Sequence, residues 1–299
     1  MRPRRLWFDL HDASLTSPAA AILGLPFDGS ASLKAGAAQG PARLRALSVT
    51  SDPVTRRGED ASVTVRDHGD VSAAAGGGPL AQREYLDAAL ARLEALPRDA
   101  FVIALGGDNS VSIPCLQAFA RRHDPRRCGV IWFDAHPDLF ETYDGNPDSH
   151  ACALRRGMTL GGIPPGRAVL LGTRSFSRQE AAHARSQGIE VITAARWLAE
   201  GPDKVAEAAA ARLSGLDAVY LAIDIDGFDS SCAPGTGYPM PGGVGAEEFF
   251  RLHELLMERL PVRAMDITEI APPLDTNDIT GFLGVQIVLE TLGALRRRG

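Results

Sequence analysis

Cysteine is scarce in this chain: Cys115, Cys128, Cys152 and Cys232 are the four in 299 residues. None forms a CxxC pair, which argues against a zinc ribbon and thioredoxin chemistry. Four scattered thiols do not build a disulfide framework, so a reducing, cytoplasmic setting is expected. No apolar run approaches the ~20 residues of a membrane helix. The basic start, MRPRRLWFDLHD, lacks the apolar stretch of a signal peptide, and no membrane partner is expected. Concentrated positive charge is also missing: 31 Lys and Arg against 37 Asp and Glu give −6, spread along the whole length. Nucleic acid is therefore not a main partner, because phosphate binding needs a dense basic surface; a small cationic substrate stays open. There is no internal repeat and no low-complexity segment beyond a small Ala/Gly patch at 73–78.

What is present is apolar: 45% of residues are hydrophobic, enough for a substantial core. Near-continuous hydrophobic runs at 19–26, 101–107, 129–135, 168–174, 218–226 and 262–268 read as strands buried on both faces, the mark of a parallel sheet covered by helices. Helical patterns fall between and after them, at 82–96, 111–123, 203–213, 247–260 and 278–298. The unbroken βα alternation implies one doubly wound α/β domain over residues 1–299. The Gly- and Pro-containing stretch at 140–165 reads as a substrate loop.

In such sheets ligands bind outside the carboxyl ends of the strands. Acidic residues gather there. Asp108 and Asn109 follow one strand; Asp134, His136 and Asp138 follow another; Asp224, Asp226 and Asp229 follow a third; Glu269 follows a fourth. A lone Asp at a strand end is usually a cap or turn residue. Dense groups on one sheet edge repel each other unless they are protonated or paired, and a metal ion is the simplest compensation. The D-A-H-P-D spacing puts Asp134, His136 and Asp138 on alternate positions of an extended segment. Mostly oxygen donors with one imidazole favour Mn²⁺ over zinc. Two divalent ions would balance Asp134, Asp138, Asp224 and Asp226, and such a pair can lower the pKa of a bridging water. A metallophosphoesterase would need further histidines. A deacetylase of similar fold would lack the D-I-D-G-F-D block.

The motifs GLPFDGSASLKAGAAQGPARLR, GGDNS, FDAHPD, AIDIDGFDSSCAPGTGYPMPGG and DITEIAP resemble those of the ureohydrolases, the family of arginase, agmatinase and formimidoylglutamase. The resemblance implies a three-layer α/β/α sandwich around a mostly parallel eight-stranded sheet, two manganese ions, and a homotrimer or homohexamer. It also implies that Asp134 and Asp224 bridge the ions, that Asp138 and Asn109 complete one shell, and that His136 and Asp226 complete the other. Glu269 would hold the cationic amidine or guanidine, and His150 would shuttle protons. Ser175, Ser177, Arg178 and Glu180 match a second substrate loop, in which Arg178 could pair with a substrate carboxylate.

One departure stands out. Most members read G-G-D-H-S, and this chain has Asn109 where they have histidine. An amide oxygen can bind Mn²⁺ but is a weaker, shorter donor, so looser binding of the first metal is expected. The loop at 139–151 does not reproduce the arginase pattern. Asn109 resembles some formimidoylglutamase-like members, and Arg178 would suit a glutamate-derived carboxylate. N-formimidoyl-L-glutamate is therefore the first expected substrate. Agmatine or another guanidino compound comes next, because the N-terminal segment looks agmatinase-like. A binding protein with a degraded metal site is a further alternative.

Overall fold

The computed structural model describes residues 5–72 and 78–299, so the first four residues and all of the Ala/Gly patch except Gly78 lie outside it. The strands are β1 (Ala20–Leu25), β2 (Val65–Asp70), β3 (Phe101–Gly106), β4 (Cys128–Phe133), β5 (Ala168–Thr173), β6 (Glu190–Thr193), β7 (Ala218–Asp224) and β8 (Val262–Thr268). They form one sheet in the order β2-β1-β3-β8-β7-β4-β5-β6, with every pairing parallel. All six apolar runs become strands. β2 and β6 are additions: VRDHGD and EVIT sit at the two edges, half exposed, and so carry no continuous apolar signal.

The helices are α1 (Gly40–Ser48), α2 (Gly78–Glu94), α3 (Ser112–Arg122), α4 (Ala153–Gly161), α5 (Arg178–Ser186), α6 (Ala194–Glu200), α7 (Pro202–Arg212), α8 (Ala246–Arg259) and α9 (Ile279–Arg298). They divide by the alternation of strand side chains. Ile22, Ile103 and Leu221 face a core with residues of α1 and α6 to α9. Ala21, Leu23 and Tyr220 face a second core with residues of α2 to α5. The result is the expected α/β/α sandwich.

Two expectations need correction. The stretch at 140–165 is not all loop, since α4 occupies Ala153–Gly161. The chain also does contain a helix apolar and long enough to cross a membrane by length and composition, namely α9. However, 72% of its apolar window is buried inside the fold, as for a core helix.

A buried carboxylate sits among these layers. Asp266 of β8 is fully buried, accepts a 2.9 Å hydrogen bond from Tyr220 Oη, and is pushed up to about 6 by desolvation. A carboxyl raised in the fold stabilises it below the unfolded value near 3.8, and that stability is lost as pH rises through about 6. Asp266→Asn keeps an acceptor for Tyr220 and escapes this loss. Its denaturation midpoint relative to the parent should improve by the equivalent of about 1–2 kcal/mol between roughly pH 5 and pH 8. Parallel stability curves for the two proteins over that window would refute the assignment.

Candidate functional site

Strand order makes neighbours of residues far apart in sequence. β3, β8, β7 and β4 lie side by side in the middle of the sheet, and their carboxyl ends carry Asn109, Glu269, the Asp224/Asp226 pair, and Asp134 with His136 and Asp138. Phe133 pairs with Ile223 and Asp224 with Thr268, so the ends are level and the acidic side chains converge. The turn at Gly107 depends on glycine: a Cβ there would lie 1.9 Å from the Phe27 carbonyl oxygen. Asp138 (φ 51°) and Glu269 (φ 61°) both adopt left-handed backbone, which non-glycine residues hold at a cost of about 1–3 kcal/mol and which clusters at functional positions. The Leu139 amide after Asp138 donates to Glu180 Oε1 at 3.2 Å.

Asn109 is the hub. Its Nδ2 donates to Asp134 Oδ2 (2.9 Å), Asp138 Oδ2 (2.9 Å) and Asp224 Oδ2 (2.8 Å). Its Oδ1 accepts from Thr268 Oγ1 at 2.7 Å, and its backbone amide donates to Glu269 Oε1 at 2.9 Å. On the other side, His136 Nδ1 lies 3.1 Å from Asp226 Oδ2 and 3.4 Å from Asp134 Oδ1. Asp134, His136 and Asp226 can each offer one donor atom within 4.8 Å of the others, a spacing that suits a metal ion.

The electrostatics are those of carboxylates short of positive charge. Burial, then Asp226, raises Asp134 to about 7. Burial and neighbouring carboxylates likewise hold Asp138, Asp224 and Glu269 well above the usual range. Burial opposes a proton on His136, but Asp226 and Asp134 together outweigh it and push the imidazolium up to about 12. Burial holds His150 below its ordinary value, so its imidazole is neutral near pH 7.

The cluster opens into a cavity of about 290 Å³. Asn109, His136, Asp138, Asp224, Asp226 and Glu269 line it, as do His150, Ser175, Ser177 and Glu180. Asp134 is buried beneath, with Trp132 Nε1 donating to it at 3.0 Å. Ser177 and Glu180 double as the capping box that starts α5. Arg178, the next residue, is exposed and absent from the lining. Asp229 also stays outside the cluster: its carboxylate closes a loop by accepting from Ser231, Gly242 and Gly243.

The structure adds residues that sequence reasoning missed. Lys34 is the one Lys or Arg among the described lining residues, and aromatic Phe140, Tyr143, Phe176 and Tyr238 join it. Ser30 links two parts of the site, donating to Asp108 Oδ2 at 2.9 Å and accepting from the His150 amide at 3.1 Å. Arg174 fixes the loop behind Asp226 by donating to the carbonyls of Asp226, Gly227, Phe228 and Met240. The only sequence cue to Lys34 was its place in a motif-rich segment.

Comparison with known proteins places this geometry. The arginase-family profile matches residues 18–293. Guanidinopropionase of Pseudomonas aeruginosa is 32% identical over 290 residues, covering 93% of this chain and 88% of that protein. Among solved structures, the proclavaminate amidino hydrolase of Streptomyces clavuligerus superposes with a TM-score of 0.88 at 28% identity, covering 99% of this chain and 98% of its own. Formimidoylglutamase of Bacillus subtilis does so at 0.87 and 25% identity, covering 99% and 93%. The chain belongs to the arginase family, hydrolases that act on the C–N bonds of amidino and guanidino groups.

Proposed function

We propose that this chain hydrolyses the amidine or guanidine C–N bond of a small acyclic molecule that also carries a carboxylate. N-formimidoyl-L-glutamate, giving glutamate and formamide, is the first candidate, and guanidino acids are the next. The observation that carries this reading is the pairing of opposite charges in one cavity: Glu269 suits a cationic head, and Lys34 suits an anionic tail. Arg178, the cation expected from sequence, lies outside the lining, and Lys34 takes over that role.

The donor set fits two manganese ions. Asp134, His136 and Asp226 would hold one; Asp138, Asp224 and Asn109 would hold the other, with Asp134 and Asp224 shared between them. When bound, the ions supply Lewis acidity and make water a nucleophile near neutral pH. The protein's own groups do the rest. One oxygen of Glu269 is tethered to the Asn109 amide, so the carboxylate presents a fixed face to the amidinium. A substrate cation there would lower the proton affinity that burial has raised on Glu269. His150, whose backbone amide donates to the Ser30 hydroxyl, starts neutral, so it takes the proton released by the attacking water and passes it to the departing nitrogen. The aromatic side chains narrow the cavity and limit water around the reacting carbon.

The test is a substrate panel with added Mn²⁺: formimidoylglutamate, guanidinobutyrate, guanidinopropionate, arginine and agmatine. An acidic compound should give the highest kcat/KM. Lys34→Met should raise KM for that compound by about 10–100-fold, with little change in kcat, because a charge-assisted pair contributes about 1.5–3 kcal/mol. Hydrolysis of agmatine, which has no carboxylate, should not suffer. If agmatine is the best substrate, or Lys34→Met leaves KM unchanged, the carboxylate reading fails.

A further inference from the structure

The opposite edge of the sheet, where the strands begin, carries a second cavity of about 660 Å³. Its lining is apolar in part: Val102 of β3, Tyr220 of β7, Ala264 of β8 and Phe119 of α3. The Phe119 ring meets His123 at 4.9 Å and Tyr220 edge-on at 5.3 Å. The rest is strongly basic, with Arg98, Arg122, Arg263, Arg298 and His123 in the same lining.

Two of these arginines have a structural duty. Helices return antiparallel to the strands, so their carbonyl ends collect at this edge. Arg122 donates to the carbonyls of Leu93 in the last turn of α2 and of Leu96 and Pro97 after it. Arg298 donates to those of Met257 in the last turn of α8 and of Leu260 and Val262 after it. Both neutralise the negative ends of helices. No such duty explains Arg98 and Arg263: neither guanidinium has a hydrogen bond or ion pair among the described residues, and both residues are exposed. The acidic side chains on the lining are Asp99 and Asp217. Asp217 is already committed, accepting from Arg127 Nη2 at 2.6 Å. Positive charge is therefore in excess, and burial together with Arg263, Arg122 and Arg98 holds His123 below its ordinary value.

We infer that this cavity binds a small organic oxyanion, its phosphate or carboxylate group on Arg98 and Arg263 and its apolar body against Phe119 and Tyr220. Guanidinium forks match such oxyanions in bidentate fashion, and an apolar surface beside them adds affinity for a ligand with a hydrophobic part. The site is separate from the aspartate cluster and does not depend on the substrate reading above.

Calorimetric titration of the metal-loaded protein at low ionic strength tests it, with inorganic phosphate, phenyl phosphate and phthalate as probes. One saturable site per chain is expected, with phenyl phosphate or phthalate about tenfold tighter than inorganic phosphate because only they bring an apolar body. The rank of phenyl phosphate against phthalate tells which oxyanion the site prefers. The double variant Arg98→Ala/Arg263→Ala should weaken binding at least about tenfold while leaving hydrolysis unchanged, since both residues are exposed and lie at the opposite end of the strands from the aspartate cluster. Absence of saturable binding below about 10 mM for all three probes, or equal binding by the double variant, would overturn the inference. Binding at the metal centre instead would show as this second outcome.

Discussion

Asp224→Ala is expected to cut hydrolysis by about a thousandfold or more while the protein stays folded, because metal-centre chemistry contributes several kcal/mol to such barriers. Asp224 is nearly fully buried, with Asp226 and Asp134 raising its proton affinity further beyond the effect of burial. In the metal-free protein it is one of several carboxylates in mutual repulsion, so its removal relieves a penalty even as it loses hydrogen bonds from the Asp226 amide and Asn109. The thermal midpoint of the metal-free variant should therefore match or exceed that of its parent, while metal content and kcat collapse. Asp224→Asn separates charge from shape: it keeps an acceptor for the Asp226 amide and should still be nearly inactive. Near-normal turnover in either variant would sink the assignment of Asp224 as a shared metal ligand. A variant that is inactive and also unfolded would point to a structural role.

The acidic constellation was legible because each of its members lies within a few residues of a strand end, and the interior strands advertise themselves as unbroken apolar runs. Edge strands β2 and β6 do not, since one side of each faces solvent or loops and its residues can be polar. Helix α4 was hidden for a different reason. Its glycines lower helix propensity, yet a Cβ at Gly157 would lie 2.7 Å from Leu116 Cδ1, and one at Gly161 would lie 3.1 Å from the Ala120 Cβ. Close packing on α3 demands there what local propensity argues against. Helices α1, α5 and α6 are too short to carry a clear periodic signal, and the other gaps are long-range. Ser30 matters through Asp108, 78 residues away, and Arg174 through carbonyls more than 50 residues away. Lys34 and Arg178 show the same limit from opposite sides: both are cations in motif-rich segments, and only the path of the chain decides which one lines the cavity.

Asn109→His should change the metal stoichiometry of the purified protein. In the parent, the amide presents donors, not a lone pair, to Asp134, Asp138 and Asp224, and its oxygen is engaged by Thr268. For Asn109 to act as a ligand the amide must turn over so that Oδ1 faces the carboxylates. Thr268 can tolerate either orientation, because a hydroxyl both donates and accepts. Turning over gives up the charge-assisted hydrogen bonds that two N–H groups share among three carboxylates, and the ligand gained is a neutral amide oxygen rather than an imidazole nitrogen. Both factors weaken the first site relative to the one at Asp134, His136 and Asp226. Metal titration of the parent should resolve one tight ion and one about 10–100-fold weaker, a range typical of perturbed ligand sets. Asn109→His should bring the two into the same range, and the gain in activity should be largest at limiting Mn²⁺ and small at saturation. Thr268→Val, which removes the hydroxyl that serves both amide orientations, should lower occupancy of the weaker site without affecting the tighter one. Two equally tight ions in the parent after mild dialysis would show that the amide makes an adequate ligand and that the histidine is dispensable.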